Sequence, residues 1–126
     1  MPKTVPDLPG VAPSRFPFSK VVEANGFVFL AGQIGDALGG NGPVPGGIEA
    51  ETRAMLDNVG RLLTAAGLDY TDVVRCTVYL RAFDDFAAMN AIYREYFPTE
   101  PPTRATVGVT SLALGARIEI EVLAAR

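Results

Sequence analysis

Three charged side chains in the last quarter of the chain have the types and spacing to do chemistry. Arg104 begins the run Arg104-Ala105-Thr106-Val107-Gly108-Val109-Thr110, in which the odd positions are apolar and the even ones carry Arg, Thr, Gly and Thr. Glu119 and Glu121 fall in Ala116-Arg117-Ile118-Glu119-Ile120-Glu121-Val122, where the even positions are apolar. A period of two is the pattern of a half-buried strand. Ser111 to Gly115 is short enough to close an antiparallel hairpin, which would bring Arg104 and Thr106 to the face that carries Glu119 and Glu121. A fixed cation beside a carboxylate is a candidate site, although an ion-paired or solvated sheet face would give the same pattern.

Composition narrows the chemistry. The chain has 126 residues, no histidine, one cysteine and a net charge of −3. Without histidine, imidazole acid–base catalysis, the usual catalytic triads and most transition-metal sites are excluded. One cysteine allows neither an internal disulfide nor a thiolate cluster, and Cys76, on the apolar side of its strand pattern, reads as core. Carboxylates, arginine, tyrosine, hydroxyls, backbone groups and water remain. No cluster of Lys and Arg marks a nucleic-acid footprint, so no nucleic-acid partner is expected. No apolar run approaches the ~20 residues that span a bilayer, and the Pro-rich start is unlike a signal peptide. A cytoplasmic protein without a membrane partner is expected.

The elements that must position these residues can be read in order. Five prolines in residues 1–17 predict an extended arm on the surface or against a partner subunit. A first strand over 18–24 and the turn signal Asn25-Gly26 lead into Phe27-Val28-Phe29-Leu30-Ala31, apolar throughout and expected to be covered on both faces, with Gly32 to Gly35 ending it. A flexible glycine-rich loop over 36–47 precedes a long amphipathic helix over 48–66, stopped by Gly67. A strand over 73–81 and a second helix follow, the latter capped by Asp84 or Asp85, with Phe86, Met89, Ile92, Tyr93, Tyr96 and Phe97 as its buried stripe. The order predicts one α+β domain over 1–126 whose two helices cover one face of a mixed sheet. The other face, expected to carry Arg75, Thr77, Tyr79, Arg104, Thr106, Arg117, Glu119 and Glu121, would be left open and suits self-association. Tyr79 fits a subunit interface.

The chain resembles the RidA (YjgF-type) imine deaminase family over nearly its whole length. The matching stretches include Pro17-Phe18-Ser19, Gly32-Gln33-Ile34, Ile48-Glu49-Ala50-Glu51-Thr52, Asn58, Ala65-Ala66-Gly67-Leu68, Thr77-Val78-Tyr79-Leu80, Asn90, Tyr93, Pro102-Thr103-Arg104 and Ile118-Glu119-Ile120-Glu121. Their order and spacing together are specific. The resemblance implies a chorismate-mutase-like fold and a homotrimer with helices outside, sheets inward and active clefts between subunits. It also implies hydrolysis of 2-imino and 2-enamino acids, such as 2-iminobutanoate and 2-aminoacrylate, to 2-oxo acids and ammonia, with no metal or organic cofactor. By the same resemblance Arg104 binds the substrate carboxylate and Glu119 positions the attacking water. Gly32 supplies backbone contacts, and Asn90 lies near the cleft or ties a loop. Glu121 shares the face without an assigned role.

Three positions depart from the family pattern. Phe18 stands where many members have Tyr, Ala31 where Ser is frequent, and Thr106 where Cys is frequent. All three are expected to line the substrate site, and the first two make it more apolar, which points to larger or more apolar 2-imino acids. Two other functions are compatible with the resemblance. One is a non-catalytic trimeric module that binds a small carboxylate, which needs Arg104 but not Glu119. The other is RNA cleavage, which the acidic balance and missing histidine argue against.

Overall fold

A computed structural model describes residues 2–38 and 40–126. Strands β1 (Val21–Ala24) and β2 (Phe27–Ile34) precede helix α1 (Gly47–Ala65). Strand β3 (Val73–Leu80), helix α2 (Phe86–Tyr96) and strands β4 (Thr103–Gly108) and β5 (Ile118–Ala125) complete the chain. They form a mixed five-stranded sheet in the order β1-β2-β5-β3-β4. The Asn25-Gly26 turn closes the β1–β2 hairpin with positive φ at both residues, 53° and 81°.

The predicted β4–β5 hairpin does not form. Strand β4 pairs with β3 in parallel, at the sheet edge, while β5 lies between β2 and β3 and is antiparallel to both. Helix α2 is the reason. It acts as the crossover that parallel neighbours require, so the chain leaves β3, runs along the helix and returns in the same direction. β5, apolar at alternate positions over its whole length, then takes the central place.

Both helices pack on one side of the sheet. Val28, Leu30, Cys76, Val78, Leu80, Ile118, Ile120 and Val122 are buried against Met55, Leu56, Val59, Leu62 and Leu63 of α1 and Met89, Ile92 and Tyr93 of α2. The opposite side is uncovered. Phe27 and Phe29 of β2 are 44% and 46% exposed, which corrects the expectation that this strand is covered on both faces. With two helices available, only Val28 and Leu30 reach the core. β2 also runs past the expected stop to Ile34, through an irregularity between Leu30 and Gln33 where it pairs with β5.

Three side-chain ties fix the elements that carry the site. Asn58 of α1 donates to the backbone oxygens of Ile34 and Asp36 and to Asp36 Oδ1, so the glycine-rich segment expected to be flexible is pinned at its start. Val44 N donates to Gly35 O at its far side. Glu51, only 4% exposed, accepts from Arg117 N at 2.9 Å and pairs with Arg117 Nε at 3.0 Å, holding the start of β5 to α1. The N-terminal arm bridges to β1 through a reciprocal pair between Thr4 and Glu23, which covers part of the sheet edge. Asp85 stands at the N-cap of α2 but makes no side-chain capping bond.

Candidate functional site

Parallel pairing decides where Arg104 points. It stands opposite Cys76 and Thr106 opposite Val78, and both β3 residues face the helices. Arg104 and Thr106 therefore lie on the helix side of the sheet, and Glu119 and Glu121, opposite Tyr79 and Thr77, on the open side. The expectation of one shared surface is overturned, because it rested on the hairpin that α2 prevents. Arg117 likewise leaves the open face, its guanidinium being engaged by Glu51.

On the helix side, the Arg104 guanidinium is cradled by α2. Its central carbon is 4.7 Å from the Tyr93 ring centroid and 5.6 Å from that of Phe86, and Nη1 is 3.9 Å from Met89 Sδ. Such stacking holds a planar cation without neutralising it. Among the described residues Arg104 has no carboxylate partner. Two buried hydroxyls nearby, Thr106 Oγ1 and Tyr93 Oη, also lack a hydrogen-bond partner among the described residues. Burial pushes the Tyr93 phenol well up, and burial likewise raises the Cys76 thiol against the pull of Tyr93 and Arg104. Asn90 falls between Phe86 and Tyr93 on α2, four residues after one and three before the other, and is half-buried. Phe86 and Tyr93 read in the sequence as a core stripe; no periodicity distinguishes a ring that packs from a ring that carries a guanidinium.

On the open side, Glu119 lies over Gly32. A carboxylate oxygen of Glu119 occupies the place where a side chain at residue 32 would put its Cβ, so glycine is what lets the two approach. Partial burial raises the Glu119 carboxyl above the usual carboxylate range, and the charge of Glu121 adds to the effect. Tyr79 Oη donates to Glu121 Oε1. Ala31 N donates to Lys20 O at 2.9 Å, which runs the Phe18 segment alongside the Ala31–Gly32 stretch. Phe18 itself is 53% exposed. The structure thus brings Glu119, Gly32 and Ala31 to one neighbourhood and Arg104, Thr106 and Asn90 to another. No cluster of three or more metal-ligating side chains occurs among the described residues, and no helix among them is long and apolar enough to cross a membrane.

A five-stranded mixed sheet covered on one side by two helices makes this a small α+β protein. A family model described as Endoribonuclease L-PSP matches residues 10–126. The chain is 40% identical over 108 residues to the 2-iminobutanoate/2-iminopropanoate deaminase of Capra hircus, covering 86% of this chain and 79% of the relative. A solved Rid-family protein from Yersinia pestis superimposes with a TM-score of 0.89 at 34% identity, over 99% of this chain and 100% of the other. E. coli TdcF with bound serine superimposes with a TM-score of 0.83 at 32% identity, over 90% and 91% of the two chains. The chain belongs to this family, the RidA (YjgF-type) proteins.

Proposed function

We propose that the protein hydrolyses reactive 2-imino and 2-enamino acids, of the 2-iminobutanoate and 2-aminoacrylate type, to 2-oxo acids and ammonia. The observation that carries this reading is Arg104, a guanidinium stacked on two rings with no carboxylate partner among the described residues. Its fork matches a planar carboxylate, and Thr106, on the same strand face, and Asn90, on the α2 turn between Phe86 and Tyr93, would offer a bound substrate further polar groups. The names of the deaminase relatives support the substrate class.

Glu119 supplies the acid–base step. Water held by its carboxylate adds oxygen to the imine carbon as the C=N electron pair moves to nitrogen. Glu119 takes the water proton and delivers it to that nitrogen. The carbinolamine then collapses: its hydroxyl gives its proton to Glu119, which passes it to the amino nitrogen, so the C–N bond breaks to release ammonia as the carbonyl forms. One water is consumed per turnover. The imine is already electrophilic, so the scheme asks for orientation and a proton acceptor rather than a metal or organic cofactor.

Arg104 and Glu119 face opposite sides of one sheet, so they can address one substrate only where two chains meet. We place the reaction in clefts between subunits of a homotrimer of the chorismate-mutase-like kind. Arg104, Thr106 and Asn90 of one subunit then oppose Glu119, Gly32, Ala31 and Phe18 of the next. The exposed Phe27, Phe29 and Val107 give such an assembly apolar surface to bury.

The test is conversion of 2-iminobutanoate, generated in place by a threonine dehydratase, to 2-oxobutanoate. The wild type should accelerate it, and Arg104→Ala should lose on the order of 10²-fold or more of that acceleration. Turnover by Arg104→Ala at the wild-type rate would overturn the assignment. A second reading, a non-catalytic module that binds small carboxylates, is favoured by the serine held in the related TdcF structure. Calorimetric binding of 2-oxobutanoate without turnover of any imine would select it. The description of the family model raises RNA cleavage, but the chain has no histidine and an acidic balance. RNA degradation that survived purification and vanished in Arg104→Ala would reinstate it.

A further inference from the structure

The open face carries a second carboxylate that the proposed scheme leaves unused. Glu119 and Glu121 alternate on β5 and so project from the same side of the sheet. Tyr79 stands directly opposite Glu119 on β3, yet its hydroxyl donates to Glu121, reaching diagonally across the pair. We propose that Tyr79 and Glu121 are a positioning pair for Glu119: the phenol holds the Glu121 carboxylate as a fixed negative charge beside Glu119, which strengthens Glu119 as the acceptor of the proton from water. The inference rests on the deaminase reading.

The surroundings of Glu119 leave Glu121 as its principal charged neighbour. From β3, Tyr79 faces it, with Arg75 farther along the same face and nearer the Leu123 end of β5. Arg81, past the end of β3, gives its guanidinium to the Gly115 carbonyl. β2 contributes no titratable side chain between Phe27 and Ile34, and Gly32 leaves only backbone beneath the carboxylate. The raised proton affinity of Glu119, owed first to burial and then to Glu121, agrees with this geometry, as does the upward shift of the Tyr79 phenol through its bond to Glu121. A like charge held nearby favours the protonated form and makes the ionised form a stronger base. A free Glu121 would spread its charge over many rotamers in solvent. The hydroxyl of Tyr79 selects one of them.

The experiment follows kcat/KM for 2-iminobutanoate against pH, together with the carboxyl ¹³C titration of Glu119 by NMR, in the wild type, Glu121→Gln, Tyr79→Phe and the double variant. With Glu121→Gln, the acidic limb and the Glu119 titration should both move to lower pH. kcat/KM near neutrality should fall by a few-fold, well short of the roughly 10²–10⁴-fold at stake in Glu119 itself. Tyr79→Phe should change both readouts in the native background and neither in the Glu121→Gln background, since it acts only through Glu121. A neighbouring subunit's Arg104 would be common to all four proteins and cancel from the comparison. Coincident limbs and coincident Glu119 titrations in the wild type and Glu121→Gln would overturn the pair. A wild type that leaves imine untouched would instead overturn the deaminase reading, and with it the catalytic role of the pair.

Discussion

Arg104 and Glu119 are each held in a state that costs the isolated chain something. Arg104 is half-buried beside rings and a thioether with no counter-ion among the described residues, and Glu119 is partly buried over Gly32 with its carboxyl raised. A group shifted this way weakens the fold when it ionises. Its folded-state proton affinity exceeds that of the unfolded chain, so stability falls as pH rises from the ordinary carboxylate range through the raised value, and the penalty is full above it. Glu119→Gln should therefore abolish imine turnover while melting at or above the wild-type temperature at pH 7. That difference should close as the pH is lowered. Parallel melting curves and a steady-state assay decide it, and a Glu119→Gln protein that melts well below the wild type at pH 7 would contradict the account. Phe18 and Ala31 belong to this scale too. Their apolar side chains near the β2 irregularity lead to an expected preference for larger 2-imino acids, and a substrate panel in which only the smallest imine turns over would count against it.

At the scale of elements, the device is the irregular stretch of β2 from Leu30 to Gln33 laid against a regular β5. The irregularity sets Gly32 beneath Glu119, and Glu51 with Arg117 fixes the start of β5 from the other side of the sheet. Gly32 does not need a left-handed backbone, so alanine there introduces no φ strain; it introduces a methyl group where a Glu119 oxygen sits. Gly32→Ala should displace the carboxylate and lower kcat on the order of 10²-fold, because misplacement of about 1 Å is that costly in a positioned reaction. Stability should change by no more than about 1 kcal/mol, since a flexible side chain can move aside. Thermal melts and kcat measured on the same preparation separate this from simple unfolding.

At the scale of the whole molecule, Arg104 and Glu119 of one chain lie on opposite sides of the sheet. The sheet separates them. A cleft that needs Arg104 from one subunit and Glu119 from another can be rebuilt from two inactive proteins. Arg104→Ala and Glu119→Gln, unfolded and refolded together in equal amounts, should regain activity in about a quarter of the clefts, the fraction that draws both intact residues at random. The separate refolded variants should remain inactive. If mixing restores nothing while native mass spectrometry reports mixed oligomers, the site does not lie between chains.

The sequence by itself determined the parts of this protein that depend on local chemistry. Asn25-Gly26 specifies its turn wherever the strands go, the periodicity of residues 48–66 and 86–97 specifies two helices with one apolar stripe each, and the period-two runs specify strands. The family motifs place the same named residues in a functional class. Only the tertiary structure decided which strands are neighbours, because alternation in β4 and β5 is equally compatible with a hairpin and with a crossover through α2. That one choice set Arg104 on the helix side, across the sheet from the Glu119 of the same chain. The Tyr79–Glu121 bond was hidden for the same reason: it joins residues 42 apart in sequence, and only the register of β3 on β5 brings them together.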